Sequence, residues 1–536
     1  MHLSHPTAHP AERRLVHEGG FSMFLVIMVM FVSAMFVAAG FAAANGDLPL
    51  SGNWRDRKTA YAAAEAGLNF YQFHLDQDND YWLKCTAVSP PNLTEPSPVN
   101  DVWDGTGDDK RQWRKVPGSE ARYTIELLPA PGKDKCVKDD QESMIDPKTG
   151  TFRIRVTGQA YAGSQVKRSI VASFRRKSFL DFLWFTHFET TDPKNYLTGG
   201  TKNPTWAATN CAFMRPSRDP GCLDINFVTG DWMHGPMHSD DNFYICGQPK
   251  FGRDDPDVND VVEASGSTPA QGWVANGGCS GTNDPTVYPD DKIDSGVQPI
   301  TLPTTNSSLK SLAKGMYSFT GKTTIVLTGD TMTVTNAKAG FSTPTPGVPL
   351  PDNGVIYVDN DPSPACVPTA PRSTDYSATR DPGCGNLFVG GHSNKSLTLA
   401  AKNDVIVTRT LNPGRNMGLL RDDDSVMMGL VADNFVRVQH LGTDPAADFE
   451  IDAAILALSH SFTVDNYEAG PKLGDLTVKG AIAQLYRGAV GQTGTSGYLK
   501  DYWYDDRLKY QTPPYFLQPV AASWHVMRRN EQVPAR

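Results

Sequence analysis

Two histidines and two aspartates crowd one short stretch, Met233-His234-Gly235-Pro236-Met237-His238-Ser239-Asp240-Asp241. Imidazoles four residues apart, with carboxylates beside them, are donor types that hold zinc. That spacing ordinarily works by putting both rings on one face of a helix, and Gly235-Pro236 forbids a regular helix there. The stretch therefore reads as polar residues at a strand corner, and no metal site is expected. Asp422-Asp423-Asp424 could attract Ca²⁺ to a surface loop, but EF-hand spacing is missing, so a solvated turn is the reading. No G-x-S-x-G, Walker A, Rossmann glycine motif or H-E-x-x-H occurs. Acidic pairs carry no information among 59 acidic residues, so neither a catalytic set nor a cofactor is assigned and the chain is not expected to be an enzyme. The enzymatic rival is an anchored polysaccharide-active β-helix, which would need clustered carboxylates in a groove near an aromatic platform.

Eight cysteines, Cys85, Cys136, Cys211, Cys222, Cys246, Cys279, Cys366 and Cys384, all follow the first apolar segment. None has the spacing of a zinc site. An even number on one side of such a segment reads as disulfides in an oxidising compartment. Sequence does not dictate connectivity, and pairing of neighbours is the simplest choice. Cys211–Cys222 and Cys366–Cys384 are predicted as equivalent bridges, because each closes a loop ending in the turn-forming triplet Asp-Pro-Gly. The net charge of -9 is mild, and no basic stripe interrupts the chain, so nucleic acid is not an expected partner.

These residues need elements to hold them. Phe21 to Ala44 carries no charge. As a helix its 24 residues would span roughly 36 Å, enough to cross a bilayer. Arg13 and Arg14 before it nearly balance Arg55, Arg57 and Lys58 after it, so charge does not orient it; the cysteines place the C-terminal part outside. Beyond Pro49, Tyr61, Ala64, Leu68, Tyr71 and Leu75 recur at three- and four-residue steps, one narrow apolar seam on a helix. Lys58, Glu65, Asn69 and Gln72 lie opposite it. The seam suits packing against partner helices in an assembly or against the chain's own globular part, and partner helices are the prediction.

Gly20-Phe21, between a charged leader and the apolar helix, is similar to a prepilin cleavage site. Gly52-Asn53-Trp54-Arg55-Asp56-Arg57, followed by Ala60-Tyr61-Ala62-Ala63-Ala64-Glu65-Ala66-Gly67-Leu68, resembles the N-terminal module of PilX-type minor pilins of type IV pilus systems. The resemblance covers about residues 13–75. It implies cleavage after Gly20, methylation of Phe21, and a role in a pilus-like fibre or its priming, with other pilins or pilus assembly components as partners. Leu25 stands where major pilins carry Glu, which speaks against a major subunit rather than against the family. The implied location is a single-pass cytoplasmic membrane protein with an extracytoplasmic body, at the cell surface or in a pilus after processing. A membrane-stalked adhesin without processing, binding surface glycans or cells, is the alternative.

The rest reads as mainly β. In 79–178, Phe152, Ile154 and Val156 alternate with Arg153 and Arg155, the pattern of a half-solvated antiparallel meander. From 179 the chain becomes dense in Gly, Asn, Asp and Pro between short β-branched runs. Arg-Asp-Pro-Gly-Cys occurs at Arg218–Cys222 and at Arg380–Cys384, and Asn/Asp pairs open strands at Asp241-Asn242, Asn403-Asp404 and Asp433-Asn434. Strand starts at Val405, Phe435 and Phe462 fall at solenoid-like spacing. The expectation is a leader (1–20), a transmembrane helix (21–45), an amphipathic helix (46–78), the pilin-like meander (79–178), a stacked-strand, right-handed β-helix-like solenoid (179–480) and an aromatic-rich C-terminal cap (481–536). A β-sandwich is the alternative for the body.

Overall fold

The computed structural model describes residues 22–78, 80–85, 113–134, 136–138, 140, 143–146, 151–275, 278–279, 281–372, 381, 383–408, 417–421, 425–492, 494–509, 511–520 and 524–535, with backbone alone at 22, 39–52, 176 and 417. The chain is mainly β, with few helices and several sheets. Gly20, Phe21 and Asp422 to Asp424 lie outside the described residues.

One helix, Ser22–Gln77, opens the structure. Its two parts meet different surroundings. Met23 to Val37 present exposed apolar side chains, Met23 at 72% and Phe36 at 74%. Ala60, Ala64, Leu68, Tyr71 and Leu75 are buried, under an antiparallel sheet whose central strands are Arg122–Leu128, Thr151–Gln159 and Lys167–Arg176. Alternation dictates that contact: Phe152, Ile154 and Val156 all point from one face of their strand into this core. Phe152 stacks on Phe174 at 5.0 Å, and Tyr71 meets Phe174 at 5.9 Å. Helix and sheet approach closely because two glycines face the contact. A Cβ on Gly158 would lie 1.9 Å from the Ala60 carbonyl oxygen, and one on Gly67 2.5 Å from the Tyr123 ring. Cys85–Cys136 ties the chain after the helix to the same core.

One expectation is corrected here, and a second is left without support. Leu68 and Tyr71 are covered by the chain's own sheet, so the apolar seam does not face partner helices; Tyr61 and Glu65 are only partly exposed beside it. Among the described residues no helix is long and apolar enough to cross a membrane, so the span predicted over 21–45 finds no support in the structure.

The sheet is completed from far away. Trp524–Gln532 pairs antiparallel with Lys167–Arg176, opposing Trp524 to Arg176 and Gln532 to Ser169. Trp524 packs edge-on against Phe152 at 4.7 Å. The predicted cap of 481–536 is corrected accordingly: its last strand belongs to the first sheet, and its aromatic run Ser496–Tyr504 is a strand of the body. Everything between 177 and 523 leaves the sheet at one strand and returns to the neighbouring one.

Within that body most strands pair in parallel, unlike those of an antiparallel sandwich; Thr323–Gly329, Thr331–Asn336 and Phe341–Pro349 form an antiparallel excursion, and Gly491–Gln492 folds back on Ser496–Tyr504. One ladder runs through Ser318–Thr320, Val355–Asp359, Leu397–Ala401, Met428–Ala432, Ala454–Ala457, Lys472–Arg487, Trp184–Thr191, Met237–Ser239, Val262–Ala264 and Asp294–Ser295. Chain order along it is not monotonic. The first part builds outward from Trp184–Thr191 to Asp294–Ser295. The chain then crosses to the far end, resumes at Ser318–Thr320 and returns strand by strand until Ile482 lies opposite Trp184. The crossing segment lies along the stack. Ile300 N–H donates to Asp240 and Asn306 donates to the Ala401 carbonyl, at 2.8 and 2.7 Å.

Apolar side chains fill the interior, and asparagine and aspartate form ladders at the turns. Asn434 donates to Asp404 at 2.9 Å, one strand level from its own. Arg437 is wholly buried between Asp404 (2.6 Å) and Asp465 (2.7 Å), and Arg487 is wholly buried against Glu189 (2.9 Å). All eight cysteines pair as sequence neighbours. The Cα separations are 5.7 Å for Cys211–Cys222 and 4.3 Å for Cys366–Cys384. Both bridges close over the same turn, in which the cysteine N–H donates to the aspartate carbonyl three residues back, Cys222 to Asp219 and Cys384 to Asp381, each at 3.1 Å.

Candidate functional site

Where the two parts of the stack abut, a second face of the body is joined by Ser496–Tyr504 lying parallel to Trp232–His234. This places Tyr502 opposite Met233 and Trp503 opposite His234. Alternation sends Met233 and Tyr502 inward, where both are fully buried, and leaves Trp232, His234 and Trp503 on the outer face. The His234 and Trp503 rings stack at 3.7 Å, and Trp232 stacks on His234 at 4.3 Å. One strand further, the Lys250 ammonium lies 4.5 Å from the centre of the Trp232 ring.

Beside these rings opens a cleft of about 350 Å³. Trp232, His234 and Asp231 come from the outward-building part of the stack; Asp475, Lys500 and Asp501 come from the returning part. The walls are fixed by bonds behind them. The Trp232 indole N–H donates to the Gly252 carbonyl at 2.9 Å. Asp501 accepts from the Trp503 indole at 2.7 Å and from the Thr477 hydroxyl at 2.9 Å. Lys500 pairs with Asp231 at 2.7 Å. Burial pushes the Lys500 ammonium below its ordinary range, against the pull of Asp231. Burial also lowers His234, with Asp501 opposing. Asp475 is raised by burial and by the neighbouring charges of Asp448 and Asp501. Among the described residues neither Asp475 nor Asp501 forms an ion pair. The cleft thus offers rigid aromatic edges, two hydrogen-bond-accepting carboxylates and one neutralised ion pair.

No family model matches the chain, and no curated protein matches it. Among solved structures it is similar to the competence-associated pilin ComZ from Thermus thermophilus, at 13% identity over 90% of this chain and 98% of that one, with a TM-score of 0.25. At that score the shared arrangement is too slight to assign this chain to the pilins.

The residues singled out in 233–241 are dispersed by the fold. His234 belongs to the cleft. His238 is fully buried, its Nε2 at 2.8 Å from Asp240 and its Nδ1 at 2.5 Å from Glu263. Burial disfavours the charged ring, but its two carboxylate bonds outweigh that and raise its pKa. Asp240 also meets His187 at 2.6 Å, while Asp241 pairs with Arg218. Both nitrogens of His238 are therefore engaged, and among the described residues no group of three donors could hold a metal ion. The cleft itself escapes sequence reasoning, because Trp232 and His234 lie far from Lys500 and Asp501 in the chain and come together only through the return of the stack. The one available signal is the outward alternation in Tyr498-Leu499-Lys500-Asp501-Tyr502-Trp503-Tyr504.

Proposed function

We propose that this chain is a cell-surface structural subunit of a type IV pilus-like system, a PilX-type minor pilin, and not an enzyme. The observation that carries this reading is the divided helix. Ala60 to Leu75 are clamped under the chain's own sheet, whereas Met23 to Val37 leave apolar side chains uncovered on the same helix. An apolar surface of that length marks an interaction site rather than a monomer's free surface. Neighbouring subunit helices in a fibre would cover it, and the cytoplasmic membrane would hold it before assembly, with residues 21–45 as the anchor. The junction Gly20-Phe21 supplies the processing site for the transfer from one setting to the other. The body is read as a right-handed β-helix-like solenoid displayed outward, a reading supported by its long in-register parallel ladder.

N-terminal sequencing of mature chain from the producing cell tests this. The expected first residue is Phe21, and Gly20→Ala should leave unprocessed chain in the membrane. A mature chain that begins at Met1 overturns the pilus reading and leaves the membrane-stalked adhesin.

A further inference from the structure

We propose that the cleft between the two parts of the stack binds a neutral or amino-substituted sugar unit of a glycan and rejects acidic sugars. The space of about 350 Å³ is within the range of small-ligand sites, and its walls match a saccharide's two kinds of surface. Leu499 and the ring edges of Trp232 and His234 supply apolar wall for the C–H groups of a pyranose. Asp475 and Asp501 supply acceptors for its hydroxyl donors.

Charge sets the preference among sugars. Lys500 is spent on Asp231, whereas Asp475 and Asp501 form no ion pair among the described residues, so the unpaired charge on the cleft wall is carboxylate. A uronic or sialic carboxylate would meet like charge there, whereas an ammonium on an amino sugar would be drawn in. Pre-organisation favours real binding over incidental contact. The Trp232 indole is fixed by Gly252, and Asp501 is fixed by Thr477 and Trp503, so little side-chain freedom is lost when a ligand arrives. Neither part of the stack holds the site alone: the rings Trp232 and His234 come from one, and the acceptors Asp475 and Asp501 from the other. The inference goes beyond the pilus reading and does not depend on it, since processing at Gly20 and binding at the cleft are read in separate experiments.

The test uses purified full chain and saturation-transfer NMR with three tetrasaccharide probes: cellotetraose (neutral), chitosan tetramer (amino) and tetragalacturonate (acidic). Cellotetraose, chitosan tetramer or both should bind, and tetragalacturonate should not. Asp501→Asn keeps Oδ1 to accept from Trp503, and its amide can donate to the Thr477 hydroxyl, so it should fold normally while weakening the chitosan tetramer at least tenfold, or cellotetraose to a lesser degree if that is the ligand. Trp232→Ala should weaken either ligand at least tenfold; if that variant does not fold, Asp475→Asn at the cleft wall decides in its place. Failure of both non-acidic probes to bind overturns the proposal, as does equal binding of tetragalacturonate, or binding unchanged in the aspartate variants.

Discussion

Gly158 is the position at which helix and sheet can be forced apart by a single methyl group. It is the penultimate residue of the strand Thr151–Gln159, opposite Tyr123 on one side and Arg168 on the other, so its backbone cannot retreat without breaking two registers. An added Cβ would sit 1.9 Å from the Ala60 carbonyl oxygen and 2.5 Å from the Ala64 nitrogen. Both obstacles are helix backbone, which no rotamer change can clear. Ordinary contact begins at 3.4 Å, so the helix must withdraw by 3.4 − 1.9 = 1.5 Å at that point. Such a withdrawal loosens Ala64, Leu68 and Tyr71 together, and overpacking against an unyielding neighbour costs about 3 kcal/mol. Hydrogen exchange in the full chain, followed on peptides covering 60–75, reads local opening directly. Gly158→Ala should speed exchange there about a hundredfold, since about 1.4 kcal/mol is tenfold in an opening equilibrium. Gly199→Ala, where a Cβ meets nothing within 4 Å, serves as the control and should leave those peptides unchanged. Equal protection in the two variants would refute the close helix–sheet contact, and with it the claim that the seam is internal.

Two further substitutions probe the interior of the body. Arg437→Met should cost about 3–5 kcal/mol in denaturant unfolding of the full chain, because it strands Asp404 and Asp465, both fully buried, without their shared cation. Asp224 is pushed up to about 6 by burial, despite Arg218 beside it, so the folded chain holds an extra proton between pH 3.8 and about 6. Its contribution to stability is present below pH 3.8 and lost as pH rises through about 6, a swing of about 1–2 kcal/mol after screening by the solvent that reaches it. Asp224→Asn should flatten that part of the stability–pH curve; an unchanged curve would show that Asp224 does not titrate in this window.

Local pattern and chain order divide what could be read from sequence from what could not. Phe152, Ile154 and Val156 announce a strand face because alternation is a property of adjacent residues. The Asp-Pro-Gly-Cys turns are likewise local, and both adopt the same hydrogen bond. Register is less legible. Starts at Val405, Phe435 and Phe462 suggest a repeat, but the ladder aligns Val405 with Val436 and Val436 with Phe462, one residue from the sequence pattern at the middle strand. The seam of Leu68 and Tyr71 shows that a face is apolar without showing what covers it. Long-range returns leave no mark: nothing near Trp524 points to Phe152, and nothing in Trp232 points to Trp503. Buried Arg437 and Arg487 look like ordinary surface charges until a stack supplies Asp404, Asp465 and Glu189 around them.

The return of Trp524–Gln532 to Lys167–Arg176 has a mechanical consequence for the body. The body is an insertion between two hydrogen-bonded neighbours in a sheet, so it is attached by two strands rather than by one linker. Arg175 reinforces the junction: it is almost fully buried, pairs with Asp181 at 2.9 Å and donates to the Lys509 carbonyl. Asp181 in turn caps the short helix Phe179–Asp181 at which the body begins. A pull on the far end of the stack would then load the sheet through two antiparallel strands, whose register shifts between Val526 and Arg528, and through the sheet the helix packed on Gly158. The first core also stays incomplete until residue 524 is in place, because Trp524 closes over Phe152 and Trp82. Completion of the helix-bearing unit is thereby coupled to completion of the body, and a chain that failed to finish its stack would present a helix without its finished sheet.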